Sequence, residues 1–519
     1  MVVSGEPFAA IVGAEHVRTD AEFCRYFSRD IFFWDDATTA AAVVAPADAQ
    51  QVSAVLTAAA AQNLRIAIRG GGMSYTGGYV PTRPDTVLLD LRRLNRVREL
   101  NVTDQYLTVE AGATWESVSA ALVDTGLQPS LKGPYSGNVS TVGGALSQGV
   151  VDEMTGVLSL EVALPDGLLV RTGSAARQDH PSPFFRNFGP DLTGLFIGDG
   201  GTLGVKTAAT LALEPVPAAK QHASFAFESF ASITRAMIGC ARLKLPSRIM
   251  GLDPKKSQNA PRVGFKSAIE TVAKVALTSN KLRGGLRDAF AMAAAGRNFM
   301  EGVKWSLHIT ADGTSEVAAE AAIGAFREVC LTEGREIPNL LPIALGARPF
   351  SVRGFLGPDG ERWVPTNAVL APSSAKAAAQ QVLQFFERNR ARMQAHGIWE
   401  SYMLGARPGF VLIEPSFYWR DEVSALHLDH LDAATAARFT DRAPDPAARR
   451  CVMELRQELI QLFESLGAAH VQLARAYRFD ARLDPATQQL WRTLRAALDP
   501  EGRISSDNLR RLTQSGDRT

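Results

Sequence analysis

Cysteine is scarce in this 519-residue chain. The four present, Cys24, Cys240, Cys330 and Cys451, lie far apart with no CxxC pair, which excludes a zinc ribbon, an iron–sulfur centre and a disulfide scaffold and leaves buried thiols. Net charge is also lacking. The 55 Lys and Arg against 54 Asp and Glu provide no field to draw nucleic acid or an anionic membrane. No uncharged apolar run reaches roughly eighteen residues, so no integral membrane segment is expected. The opening "MVVSGEPFAAIVGAEHVRTD" has no basic stretch followed by an apolar one, which makes the cytoplasm the expected location. Hydrophobic residues at 46% and charged residues at 21% are those of an ordinary globular protein, and the length exceeds what one core supports. Two or three domains with room for a large ligand are expected.

"VVAPADAQQVSAVLTAAAAQNLRIAIRGGG" predicts a strand, a helix from about Asp48 to Gln62 capped by Asp48 with Gln51 three residues on, and a strand Arg65 to Ile68. "DTVLLDLRRLNRVRELNVTDQYLTVEAGATW" reads as further strands. "STVGGALSQGV" is a glycine turn into a helix, and "SLEVALPDGLLVRTGS" is a hairpin around Pro165-Asp166-Gly167. A Pro-rich stretch at Pro215 to Pro217 closes this first region. Beyond it, helical periods alternate with the strand-like "KWSLHIT" and "GFVLIEPSFYW", while "SAKAAAQQVLQFFERNRARMQAHG" predicts one long helix. The pattern is that of an antiparallel sheet covered by helices. Residues 251–300 form a basic, Ala-rich insert, read as a helical lid or spacer, with a partner or membrane surface as the alternative.

Three glycine turns punctuate the first 205 residues. "RGGGMSYTGG" packs five glycines between Gly70 and Gly78, yet fits neither GxGxxG nor GxxxxGK[ST], which argues against a Rossmann or P-loop site. With "STVGGAL" and "GTLGV" it offers backbone N–H groups and close approach, the features a pyrophosphate requires. These motifs, with "LSLEVALPDGLLVRTG", "PDLTGLFIGDGGTLGV" and the later "WRTLRAALDPEGRISSDNL", resemble the FAD-binding domain of the vanillyl-alcohol oxidase and p-cresol methylhydroxylase superfamily. Within it the glycolate oxidase subunit and D-lactate dehydrogenase branch is most similar. The resemblance implies an α+β fold: a two-part FAD-binding domain over residues 1–217, a cap with an antiparallel sheet over 218–474, and a return to the first domain over 475–519.

It further implies FAD, held by Arg69, Gly70, Gly71, Gly72, Met73, Ser74, Tyr75, Gly77 and Gly78. Ser140, Thr141, Gly143, Gly144 and Ser147 contribute from the second turn, and Gly201, Thr202, Gly204 and Val205 from the third. Many members carry a histidine tether for the flavin where this chain has Met73. A thioether offers no such nitrogen, so non-covalent FAD is expected at this loop.

The resemblance implies an FAD-linked oxidase or dehydrogenase acting on a small molecule, with oxygen or a redox protein as electron acceptor. On the strand "VLIEPSFYW", Glu414, Ser416 and Tyr418 share one face. "AAHVQLARAYRF" adds His470, Arg475, Tyr477 and Arg478 where the chain turns back. His470 is the expected general base, with Tyr418 and Glu414 beside it, and an arginine fork suits a carboxylate. A 2-hydroxyacid is the first substrate class. Ala469 stands where hydroxyacid relatives place Glu before the histidine, and their His-x-Gly-Asp-Gly-Asn metal pattern survives only as His308 and Asp312-Gly313 of "LHITADGTSE" at altered spacing; this loss of the metal pattern raises a para-substituted phenol or aryl alcohol as the alternative. A non-catalytic flavin-binding or electron-relay subunit is the reading from another class. His308 and His470, even with His427 and His430 of "ALHLDHLD" as further contributors, do not supply a clear three-ligand set, so no metal is expected.

Overall fold

The sequence opens with alternating apolar stretches and turn residues, and these become two small sheets. The computed structural model describes residues 5–150, 154–245, 247–253, 255, 300, 302–347, 350 and 355–509. Most of the 251–300 insert lies outside them. By its contacts the chain divides into two units. One holds the chain up to Val216, the segment Ala425–His430 and the chain from Val471 onward; the other holds Pro217–Ser424 and Leu431–His470.

In the first unit, β1 (Val17–Arg18), β2 (Ala42–Val44), β3 (Arg65–Arg69) and β4 (Thr86–Asp90) form a sheet in the order β1-β2-β4-β3. β2 and β3 both run parallel to β4. Parallel strands need a crossover, and helix α1 (Ala49–Ala61) supplies it. The Asp48 carboxylate accepts from Gln51 N at 2.7 Å while the Gln51 side chain accepts from Ala47 N at 2.8 Å, closing the first turn. Val52, Val55, Leu56 and Ala59 fall at helical spacing on one side and bury against Val87 and Leu89.

The second sheet of this unit uses β5 (Val97–Asn101), β6 (Tyr106–Glu110), β7 (Leu127–Pro129), β8 (Val157–Ala163), β9 (Leu169–Arg171) and β10 (Val205–Pro215). Its order is β5-β6-β10-β8-β9, with β7 also on β10, and every pairing is antiparallel. The expected hairpin is β8–β9; Asp166 accepts from Leu168 N at 2.9 Å within its turn. Helix α2 (Val142–Gln148) follows the second glycine turn, with Thr141 as its cap.

The other unit is built on an antiparallel sheet of β11 (Ala219–Phe227), β12 (Ser247–Leu252), β13 (Trp305–Gly313), β14 (Arg335–Ile337), β15 (Arg362–Pro365), β16 (Ala368–Leu370), β17 (Trp399–Arg407) and β18 (Phe410–Trp419). Helices α3 (Phe230–Leu243), α4 (Glu316–Leu331) and α5 (Pro372–Arg388) pack beside it, and α6 (Pro446–Ser465) completes the unit. Phe386 of α5 contacts Tyr402 and Phe417, and Phe230 of α3 contacts Tyr402, so Phe417 and Tyr402 mark the helix-facing side. Strand alternation then turns Glu414, Ser416 and Tyr418 to the opposite side. The single long helix expected after Ser373 is instead two, Pro372–Arg388 and Arg390–Ala395, divided at Asn389. Asn389 competes for the backbone, its side chain donating to the Phe385 carbonyl at 3.1 Å.

Candidate functional site

The three glycine turns meet one another in the first unit. A Cβ on Gly70 would stand 2.2 Å from Thr141 Oγ1, and one on Gly71 would stand 2.1 Å from the Val139 carbonyl oxygen. Two backbone segments therefore touch where any side chain would part them. Gly72 adds a left-handed φ of 80°, which turns the chain over the Arg69 side chain. Gly143 packs on Ala111, and Gly144 N donates to Thr141 Oγ1 at 3.3 Å. From the third turn, Gly198 N donates to the Leu146 carbonyl at 2.8 Å and Gly200 N to the Ser147 carbonyl at 2.9 Å. Ser140 pairs with Ser136 through hydroxyls 2.6 Å apart.

The first loop is braced from behind by a residue that carried no signal in the sequence. Buried Asp30 accepts from Gly77 N at 2.8 Å, and its other oxygen takes Phe32 N at 2.9 Å and Trp34 Nε1 at 3.0 Å. The Tyr79 hydroxyl donates toward the Gly72 carbonyl at 2.8 Å. Ser74 and Thr76 hydroxyls lie 3.3 Å apart, Tyr75 is buried, and Met73 is half-buried. Gln148, also missed, approaches Thr76 Oγ1 at 3.5 Å and lies against Gly78.

Two features of this loop fit a pyrophosphate. Among the described residues, no acceptor meets the consecutive backbone N–H groups of Gly71, Gly72, Met73 and Ser74. Successive free amides in a turn make an anion-binding concavity. Arg69 is 1% exposed, its guanidinium 4.3 Å over the Phe27 ring, and its Nε and Nη1 meet no acceptor among the described residues. A buried cation with unmet donors is costly unless an anion completes it.

The third turn is held by a buried ion pair that the sequence reading overlooked. Lys206 of β10 donates to Asp199 Oδ1 at 2.6 Å, and both side chains are nearly inaccessible. The same carboxylate accepts from Gly201 N at 2.9 Å and Leu203 N at 3.3 Å, while Thr202 Oγ1 donates to the Asp199 carbonyl at 2.8 Å. Burial pulls the Lys206 ammonium below the ordinary lysine range, and Asp199 opposes that pull. A lone lysine in the run "GVKTAATLAL" was the available hint. Gly204 backs onto Val162 and Ala163, and Val205 begins β10 fully buried.

Arg475 belongs to this unit and is already engaged: it pairs with Asp36, donates to the Val80 carbonyl at 3.3 Å and lies over Trp34. Tyr477, beside Arg478, is 1% exposed. His427 and His430 lie in the short segment that joins this unit.

In the other unit, Glu414, Ser416 and Tyr418 are buried on one face of β18. Across the register stand Met403, Ser401 and Trp399 of β17, and Tyr418 stacks on Trp399 with centroids 3.9 Å apart. Burial raises the Tyr418 phenol well above its usual range, with Asp253, Glu414 and Glu361 adding to the shift. Ser401 donates to Asp253 at 2.7 Å. His470 Nδ1 lies 2.7 Å from the carbonyl of buried Asn367, and Ala469 bridges to Val369 beside it. A carbonyl only accepts, so Nδ1 is the donor in this bond.

His308 is committed differently. Its Nδ1 meets Ser224 Oγ at 2.9 Å and its Nε2 meets Ser306 Oγ at 2.9 Å, all three residues buried. Both ring nitrogens are thus occupied by hydroxyls, and burial pushes the imidazole down to about 3. Among the described residues, no group of three or more His, Cys, Asp or Glu is arranged to hold a metal ion.

Residues 40–173, which carry the first and second glycine turns, match the family model described as an FAD binding domain. The chain is similar to the glycolate oxidase subunit GlcD of Bacillus subtilis, 30% identical over 225 residues, 41% of this chain and 45% of that protein. It is also similar to the mitochondrial D-lactate dehydrogenase [cytochrome] 1 of Saccharomyces cerevisiae, 30% identical over 199 residues, 36% of this chain and 32% of that protein. The match thus spans less than half the length of these curated relatives. Its fold is that of 4-ethylphenol oxidase from Gulosibacter chungangensis, with a TM-score of 0.70 at 20% identity over 98% of this chain and 97% of that one. p-Cresol methylhydroxylase shares it at the same TM-score and coverage with 16% identity.

Proposed function

We propose that this chain is an FAD-dependent oxidoreductase that removes a hydride from an alcohol-type carbon. The run of unmet amides from Gly71 to Ser74 above the buried Arg69 carries the reading, because it suits the doubly negative pyrophosphate of FAD. Ser140, Thr141, Gly143, Gly144 and Ser147, with Gly201, Thr202, Gly204 and Val205, complete the cofactor set. When bound, FAD supplies the hydride acceptor. His470 serves as general base through Nε2, its tautomer set by the Asn367 carbonyl. Tyr418 and Glu414 assist from β18. Arg475 and Arg478 are the proposed anchoring arginines, Arg475 already holding Asp36. The names of the glycolate and D-lactate relatives support a 2-hydroxyacid as substrate. A para-substituted phenol or aryl alcohol is the second reading, favoured by buried Tyr477 directly before Arg478 and by Ala469 before His470.

Met73 gives the loop no tether, and FAD is held there without a covalent bond. Among the described residues, no helix is long and apolar enough to cross a membrane. The balanced charge and four buried free thiols support a cytoplasmic location.

The test is anaerobic flavin bleaching by a panel of 2-hydroxyacids and para-substituted phenols, with wild type and His470→Ala side by side. His470→Ala is expected to keep its flavin band and slow reduction by roughly 100-fold or more. Bleaching by phenols alone would replace the hydroxyacid assignment, and bleaching by neither class would favour the electron-relay subunit. Acid precipitation of the same sample should leave the yellow colour in the supernatant; a yellow pellet refutes non-covalent binding.

A further inference from the structure

The chain's final described segment closes the cofactor loops. Ile504 pairs in parallel with Ile66 of β3, with Ile66 N donating to the Arg503 carbonyl at 2.9 Å and Ser505 N to the Ile66 carbonyl at 2.8 Å. Asn508 follows, 2% exposed, and its side-chain amide donates two hydrogen bonds. One goes to the Gly78 carbonyl at 2.8 Å and the other to the Gly200 carbonyl at 2.7 Å. These carbonyls belong to the first and third glycine turns. Asn508 is itself fixed: its N donates to the Ser505 carbonyl at 3.0 Å, Arg495 donates to the carbonyls of Asn508 at 3.1 Å and Ser506 at 2.8 Å, and Leu509 N donates to the Ala474 carbonyl at 2.9 Å.

The peptide between Gly200 and Gly201 is consequently held at both ends, its carbonyl by Asn508 and its N–H by Asp199. A side chain that sets peptide orientation in two anion-facing turns also sets where their remaining amides point. We infer that Asn508 is a positioning residue for FAD, fixing the separation of the Arg69–Gly78 loop and the Gly198–Val205 turn. The inference rests on the reading of these turns as the FAD site. Only a side chain with two donors on one planar nitrogen can serve both carbonyls; serine offers one donor and alanine none.

The experiment strips FAD from wild type, Asn508→Ala and Asn508→Ser, then measures rebinding by flavin fluorescence and thermal midpoints with and without saturating FAD. Loss of two buried hydrogen bonds predicts an apparent FAD dissociation constant raised about 10- to 100-fold in Asn508→Ala. Asn508→Ser should fall between, and the upward shift of the midpoint caused by FAD should shrink in the same order. An unchanged dissociation constant, with midpoints lowered equally in the presence and absence of FAD, overturns the inference and leaves Asn508 a purely structural brace. Should Asn508→Ala not fold, Asn508→Ser decides by the same two readouts. Wild type that fails to rebind FAD at all would sink the parent reading instead, a result separable from any difference among variants.

Discussion

Removing one charge of the Asp199–Lys206 pair is the sharpest perturbation of the third turn. Asp199→Asn takes away the anion but leaves an acceptor for Gly201 N, so the main loss is that Lys206 keeps a buried ammonium 2.6 Å from a neutral amide. Breaking one side of such a pair costs about 3–5 kcal/mol. For a unit of this size that corresponds to a fall of roughly 6–20 °C in the thermal midpoint. Lys206→Met should cost less, because Asp199 still accepts from Gly201 and Leu203. Buried pairs of this kind commonly add little over well-packed neutral groups of similar shape, because desolvation offsets the attraction. The double variant should therefore recover most of the loss, giving a coupling energy of about 2–4 kcal/mol in a double-mutant cycle. The assay is thermal or guanidinium unfolding of the FAD-saturated protein followed through flavin release. Strictly additive losses, or an Asp199→Asn variant within about 0.5 kcal/mol of wild type, would refute the reasoning.

Gly71→Ala should lower stability by about 3 kcal/mol and reduce flavin content, because its Cβ would meet the Val139 carbonyl oxygen at 2.1 Å and neither backbone can yield. Gly324→Ala in α4 is the contrasting case. Nothing lies within 4 Å of a Cβ there, so the change should stabilise by about 0.5–1 kcal/mol; a melt of the two variants side by side checks both signs. Below pH 6.5 the unfolded chain gains a proton at His308 that the folded chain refuses until about pH 3, so stability falls with pH across that window by about 1.4 kcal/mol per unit. His308→Gln should flatten that limb in guanidinium titrations between pH 7 and 4, and an unchanged slope would show that His308 is not the group responsible.

Much of the first unit was legible because its signals are local. The Asp48 cap, the 3.6-residue period of α1 and the Pro-Asp-Gly turn between β8 and β9 each act within a few residues. The glycines of the first loop were equally visible, although part of their reason was not. Gly70 and Gly71 are needed for contact with Thr141 and Val139, some seventy residues further along the chain. His308 reads alike in sequence as a ligand or a core residue, and only its two serine partners from β11 and β13 decide between them. Nothing in "ARAYRF" announces that Arg475 pairs with Asp36, far earlier in the chain.

By itself the sequence determined the periodicities, caps and turn chemistry, the absence of a Rossmann or P-loop fingerprint, and a set of glycine loops suited to a large anionic cofactor. Tertiary structure alone decided which polar groups became partners: Asp30 with Gly77, Asp199 with Lys206, and Asn508 with both Gly78 and Gly200. The physical reason is that a buried donor or acceptor must be satisfied, but any acceptor the fold brings within about 3 Å will satisfy it. Asn508 meets Gly78 across 430 positions of sequence, and nothing short of the folded chain specifies that meeting.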